Sequence, residues 1–172
     1  MKRHSAGETR RRGNMRATLA IVLGSGLLLV GGALATPGVG ILAPVHARGT
    51  LEEHQVVNSK AGVHLKTKGS VDVATQQLTM AGGGSTGWHS HPGPVLVTVK
   101  SGALRVIYAD DPTCTGTVYE TGDSFIDRGD ANTHIARNVS PIDPVEFWAT
   151  YLVPGNPGTA FRNDVSPAPS SC

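Results

Sequence analysis

Between Gly82 and Pro94 the chain reads GGGSTGWHSHPGP, with five glycines, one tryptophan and two histidines separated by a single residue. A neutral imidazole offers a nitrogen lone pair and is the commonest protein ligand for ions such as Zn, Cu, Fe and Ni. On an extended strand, residues i and i+2 point to the same face, about 7 Å apart. His89 and His91 would then project together, with Trp88 and Ser90 turned the other way. Two imidazoles need a further donor to hold one ion firmly. His134, in NTHIARN at the start of a later apolar stretch, is the candidate. His54 and His64 lie in a more polar region and lack such spacing. Taken alone, the HxH pair is equally compatible with a polar loop, so the scaffold has to decide.

That scaffold reads as strands. From Ala61 onward, GVHLKTKG, SVDVATQQLTM, VLVTVKSG, ALRVIYA, GTVYETG, SFIDRG, HIARNVS and VEFWATYLVPG follow one another, rich in Val, Ile, Thr, Tyr and Phe and separated by Gly, Asp, Asn or Pro. Short segments of this kind at close spacing predict an all-β sandwich or barrel and leave no room for a long helix. VKSGALRV predicts a hairpin turn at Ser101–Gly102, and Phe125, Trp148 and Tyr151 are expected in the barrel core. Residues 48–60, RGTLEEHQVVNSK, form a lead-in that reads as either a short helix or an edge segment. The β domain is expected over 61–154, followed by a Pro/Ser-rich tail over 155–172.

Two signatures in this stretch resemble those of the cupin superfamily. The first runs glycine, five residues, HxH, three or four residues, glutamate, six residues, glycine; Gly83, His89, His91 and Gly102 fall in register with it. The second runs glycine, five residues, PxG, two residues, histidine, three residues, asparagine. It is matched by GDSFIDRGDANTHIARN, with Gly122 first and His134 and Asn138 at their proper mutual spacing. The turn between is one residue longer, and Arg128 stands where proline is usual. The resemblance implies a double-sheet jelly-roll barrel with the histidines pointing into its mouth.

The chain departs from the pattern at one ligand. The glutamate of the first signature would fall at Val95, or at Leu96 in the longer spacing, and both are apolar. Some cupins, the thiol dioxygenases among them, hold Fe(II) with three histidines, whereas others have lost metal altogether. By this resemblance the metal ligands are His89, His91 and His134, the cofactor is one divalent transition metal (Fe, Zn, Cu, Mn or Ni), and no further side chain is assigned a catalytic role. Three neutral ligands leave the full 2+ charge on the complex, which favours an anionic or chelating small-molecule ligand. Trp88 reads as a packing aromatic, Asn138 as a backbone-satisfying residue, and Arg128 as a solvated side chain that could also meet an anion.

The ends of the chain bear on location. Residues 1–16 carry six Lys or Arg against Glu8, and Ala17–Thr36 is an uncharged, largely apolar run ending near Ala33-Leu34-Ala35. This reads as an export signal within 1–47, or as an uncleaved N-terminal membrane anchor. Either places the domain outside the cytoplasm: secreted, periplasmic or at the cell surface. The exported part, 48–172, has nine Lys or Arg against twelve Asp or Glu, a net of −3, and no basic stripe for nucleic acid. Cys114 and Cys172 are the two cysteines, and in an oxidising compartment they are expected to be bridged. A homodimer is left open. The functional expectation is an extracytoplasmic metal-binding cupin acting as a non-haem dioxygenase on a small chelating substrate. The alternative is a non-catalytic module that binds or senses a metal or small anion.

Overall fold

The computed structural model describes residues 37–156, 158–170 and 172; the basic and apolar leader segments lie outside the described residues. Strands in chain order are β1 (Val39–Leu42), β2 (Val45–Leu51), β3 (Val56–Asn58), β4 (His64–Lys66), β5 (Val71–Ser85), β6 (His89–Ser90) and β7 (Val95–Ser101). There follow β8 (Ala103–Tyr108), β9 (Thr117–Glu120), β10 (Ser124–Asp127), β11 (His134–Asn138), β12 (Val145–Pro154) and β13 (Asn163–Asp164). Among the described residues there is no helix long and apolar enough to cross a membrane.

One hydrogen-bonded ladder, in the order β10-β7-β12-β5-β11-β6-β13, wraps into a barrel; β8 adds to β11, and β9 adds to β8. Alternation of side chains explains the core. On β12, Val145, Phe147, Ala149, Tyr151 and Val153 are buried, and on β7 so are Val95, Val97 and Val99. They meet Leu104 and Val106 of β8 and Ala136 of β11 in one cluster, so both layers contribute. Each fully buried aliphatic or aromatic side chain there contributes about 1.5–3 kcal/mol. The same alternation corrects one expectation. Trp148 falls on the outer face of β12, half-buried, with its ring centroid 5.2 Å from that of His46.

The long strand β5 serves both layers. Its first part pairs with β12 from Val71 to Met80, and its last residue, Ser85, pairs with Arg137 of β11. The glycine run at 82–84 makes the corner between them. Gly83 has a φ of +69°, and a Cβ on Gly82 would lie 2.5 Å from the backbone carbonyl of Ile142. Side chains there would be strained or would clash. A second corner replaces the expected hairpin at Ser101–Gly102. There β7 joins β10 and β12, while β8 joins β9 and β11, so the chain crosses between layers instead of folding back on its neighbour.

The ladder also reaches beyond the expected 61–154. Both β1 and β2, within what reads as leader, linker and lead-in, pair with β5. An ion pair holds the second: Arg48 Nε lies 2.8 Å from Asp72 Oδ2, and Thr50 donates to Asp72 Oδ1 at 2.8 Å. The Arg48 bond holds the Asp72 carboxyl below its usual range, helped by the Thr50 bond. The rest of the lead-in forms no helix; β3 and β4 make a separate two-stranded sheet. At the other end, Cys114 and Cys172 form a disulfide, as expected of the two cysteines.

Candidate metal centre

The HxH pair sits on β6 and the turn after it, with β11 alongside. His134 stands directly across the β6–β11 ladder from His89. The alternation that places His89 and His91 on the inner face turns Trp88 outward, where it packs with Ile107 and Ile135 as a core residue of the outer layer. All three histidines are buried, each residue no more than 6% exposed. Their ring centroids lie 4.2 Å (His89–His134), 4.8 Å (His89–His91) and 5.3 Å (His91–His134) apart. One ligand nitrogen from each falls within 4.8 Å of the others.

Hydrogen bonds select which nitrogen faces inward. Nδ1 of His89 is 2.9 Å from the Gly87 carbonyl, Nδ1 of His91 is 2.5 Å from that of Phe161, and Nδ1 of His134 is 3.2 Å from that of Asn132. A carbonyl only accepts, so each Nδ1 carries the proton and each Nε2 keeps its lone pair. Such outer bonds orient metal-ligating histidines and fix their tautomer. Burial, reinforced by the neighbouring His134 and by Arg162, pushes His89 down to about 2. Burial likewise takes His91 to about 4 and lowers His134, despite the opposing pull of Asp127 on both. The rings are therefore neutral at ordinary pH, which is the ligating form.

This arrangement, with HxH on one strand of a barrel and the later histidine opposite it, places both signatures around one centre. It is the barrel with inward-facing histidines that the resemblance to the cupins implies. No protein-family model and no curated protein matches the chain in sequence. Solved structures do resemble it. A cupin-like protein from Thermotoga maritima is 15% identical, with 75% of this chain and 79% of that one covered and a TM-score of 0.49. A cupin domain from Bordetella pertussis is 17% identical over 70% of this chain and 99% of that one, at 0.44. A cupin superfamily protein from Desulfitobacterium hafniense is 11% identical over 66% and 78%, at 0.45.

In this barrel the histidines open onto a cavity of about 400 Å³ whose wall includes Leu78, Val97, Leu104, Val106 and Phe147. The donor set fits a divalent ion in two respects. Three lone pairs converge, and a buried carboxylate oxygen, Oδ2 of Asp127, has among the described residues no partner in ordinary hydrogen-bond geometry. Only the Tyr108 hydroxyl and the His134 ring are close by. A cation at the centre would supply its missing counter-charge.

Several residues of the site escaped the sequence reading. Asp127 is 1% exposed and its Oδ2 lies 3.2 Å from His134 Nδ1. The signal was available: in SFID, Phe125 and Asp127 share the inward face, and a carboxylate there is unusual. The polar tail also enters the site. Phe161 stacks on Tyr151 at 5.2 Å and offers its carbonyl to His91, while Arg162 donates to the Thr86 carbonyl at 2.6 Å. Then β13 pairs with β6, placing Asp164 opposite His89. No local pattern announces a contact that spans seventy residues.

The remaining candidates take structural roles. Asn138 donates to the carbonyls of Met80, Ala81 and Asp143 and accepts from the Ser140 amide, which closes the β5 corner. Arg128 is 73% exposed, 3.7 Å from Asp110.

Proposed function

We propose that this protein is an exported metal-dependent cupin that holds one divalent transition metal through the Nε2 atoms of His89, His91 and His134. It would present that metal to a small ligand with an apolar body and a chelating or anionic head, as a non-haem dioxygenase does. The observation that carries this reading is the set of three inward lone pairs, each fixed by a backbone carbonyl on Nδ1, at the wall of an apolar cavity.

A bound divalent ion would supply Lewis acidity and open coordination positions. The protein's part is to hold three neutral donors in place without reorganisation and to exclude water from one side. The wall formed by Leu78, Val97, Val106 and Phe147 accepts apolar surface, and Arg162 at its edge favours a negatively charged head. The disulfide supports location outside the cytoplasm, since such bonds persist in oxidising compartments.

A second reading, a metal- or anion-holding module without turnover, is favoured by the engagement of the charged groups at the cavity. Arg162 is bound to Thr86 and Asp164, and Asp127 is bound to the Gly129 amide and lies against His134. Elemental analysis of protein recovered from its own compartment, together with oxygen uptake by the Fe(II)-loaded protein on a panel of small chelating compounds, tests both. About one ion per chain with ligand-dependent oxygen uptake supports the dioxygenase. Metal without uptake supports the module, and no stoichiometric metal even after reconstitution overturns the dioxygenase and the metal-holding module, leaving only an anion-holding one.

A further inference from the structure

The first cupin signature lacks its glutamate, yet the barrel does contain a carboxylate beside that position. Strand β10 pairs with β7 so that Asp127 stands directly opposite Val95, where the glutamate would fall. Directly opposed residues on an antiparallel pair share a face with their Cβ atoms about 5 Å apart. Both side chains are buried, and both line the cavity that the histidines face. The carboxylate is thus displaced by one strand and kept on the same wall.

Its two oxygens are treated differently. Oδ1 accepts the Gly129 amide at 2.7 Å. Oδ2 is 3.2 Å from His134 Nδ1, whose N–H is directed at the Asn132 carbonyl. It also lies beside the Tyr108 hydroxyl, which burial and the carboxylate together make less acidic. Among the described residues it has no partner in ordinary hydrogen-bond geometry. Leaving a carboxylate oxygen buried and unpaired costs several kcal/mol unless a positive charge is close. A dication held by three neutral imidazoles is such a charge, and it makes the Nδ1–H of a ligating ring a stronger donor.

We propose that Asp127 supplies, from the neighbouring strand, the negative charge that the first signature lacks at Val95, acting through His134 as a positioning residue of the metal centre. This rests on the metal-binding reading given above. The charge lowers the net charge of the centre from 2+ to 1+ without occupying a coordination position. The open positions of a three-histidine site are therefore retained, while the charge balance of a three-histidine, one-carboxylate site is recovered.

The test is Zn²⁺ affinity of the full exported chain, measured by competition with a chelator, for the unaltered protein and for Asp127→Asn. Asparagine keeps the acceptor for the Gly129 amide and removes only the charge, so a purely structural role would leave affinity unchanged. We expect a loss of about 10- to 100-fold, with the metal-free variant at least as stable as the metal-free unaltered protein. A loss under about twofold in the folded variant would overturn the role of Asp127 while leaving the metal site intact. Absence of Zn²⁺ binding by the unaltered protein would overturn the metal reading, and this proposal with it. A second measurement needs no variant. On Zn²⁺ loading, the carbon-13 signal of the Asp127 carboxyl and the His134 Nδ1 proton should shift together, and a carboxyl signal that stays in place overturns the proposal.

Discussion

His91 Nδ1 lies 2.5 Å from the carbonyl oxygen of Phe161, seventy residues further along the chain. A candidate metal ligand is thereby oriented by a tail that is joined to the barrel by β13, by the bond from the Val165 amide to the Trp88 carbonyl and by the Cys114–Cys172 disulfide. The last turn of the chain and the first signature form one structural unit.

Removing the covalent tie should therefore act at a distance. Cys172→Ala opens a loop with a sequence separation of 58, a loss of about 4 kcal/mol on the loop-entropy account. We expect the melting temperature to fall by on the order of 10 °C, and metal affinity to weaken by about tenfold as Phe161 loses its fixed position. Calorimetry and metal competition on the same preparation check the two effects. Peptide mapping without reductant should recover the bridged pair from exported protein, and two freely alkylatable thiols would contradict it.

Changing His89 and His91 together to Ala should abolish stoichiometric metal binding, because His134 alone is left. His64→Ala serves as the control, since His64 lies on exposed β4, in the separate two-stranded sheet. Elemental analysis after reconstitution reads the result. A double variant that still holds one ion per chain would move the site elsewhere.

Val95→Glu should place an anionic oxygen among the three imidazoles. Val95 is 2% exposed and faces the cavity, so the new carboxylate is forced toward the centre. We expect the metal-free variant to be less stable by several kcal/mol, the cost of burying an unpaired charge, and the metal-loaded variant to bind more tightly. If turnover uses the open coordination position, activity falls as affinity rises. Unchanged affinity in a folded variant would show that the side chain does not reach the ion.

Metal-free protein should lose stability as the medium is acidified. His89 and His91 are held neutral by burial, down to about 2 and about 4, against an ordinary value of 6.5. Groups depressed in this way bind more protons when unfolded, so their contribution is complete above the unfolded value and is lost progressively as pH falls below about 6.5. Thermal melts between pH 7.5 and pH 4.5 should show a drop on the order of 5 °C or more, reduced in the double histidine variant. A flat profile would mean that the rings are hydrated.

Much of this was legible locally. Period-two alternation of Val, Thr, Tyr and Phe is a property of neighbouring residues, and it was sufficient to predict an all-β domain and a shared face for His89 and His91 with Trp88 turned the other way. The resemblance to the cupins implied that this face is the inner one. The spacing of two signatures supported His134 as the third donor, and the two cysteines predicted the disulfide. Residue type could not decide which strands are neighbours. Ser101–Gly102 has the composition of a hairpin, but its φ of +82° at Gly102 serves a crossing between layers, because β7 and β8 find better partners in β12 and β11. Trp148 was expected in the core, whereas the register of β12 put Phe147 and Ala149 inside instead. Likewise, only the β7–β10 register set Asp127 opposite Val95, and only the folded tail brought the Phe161 carbonyl to His91. Strand direction and side-chain alternation are short-range effects of backbone geometry. Register and long-range pairing depend on which apolar faces can be buried together, and that is decided by the whole chain at once.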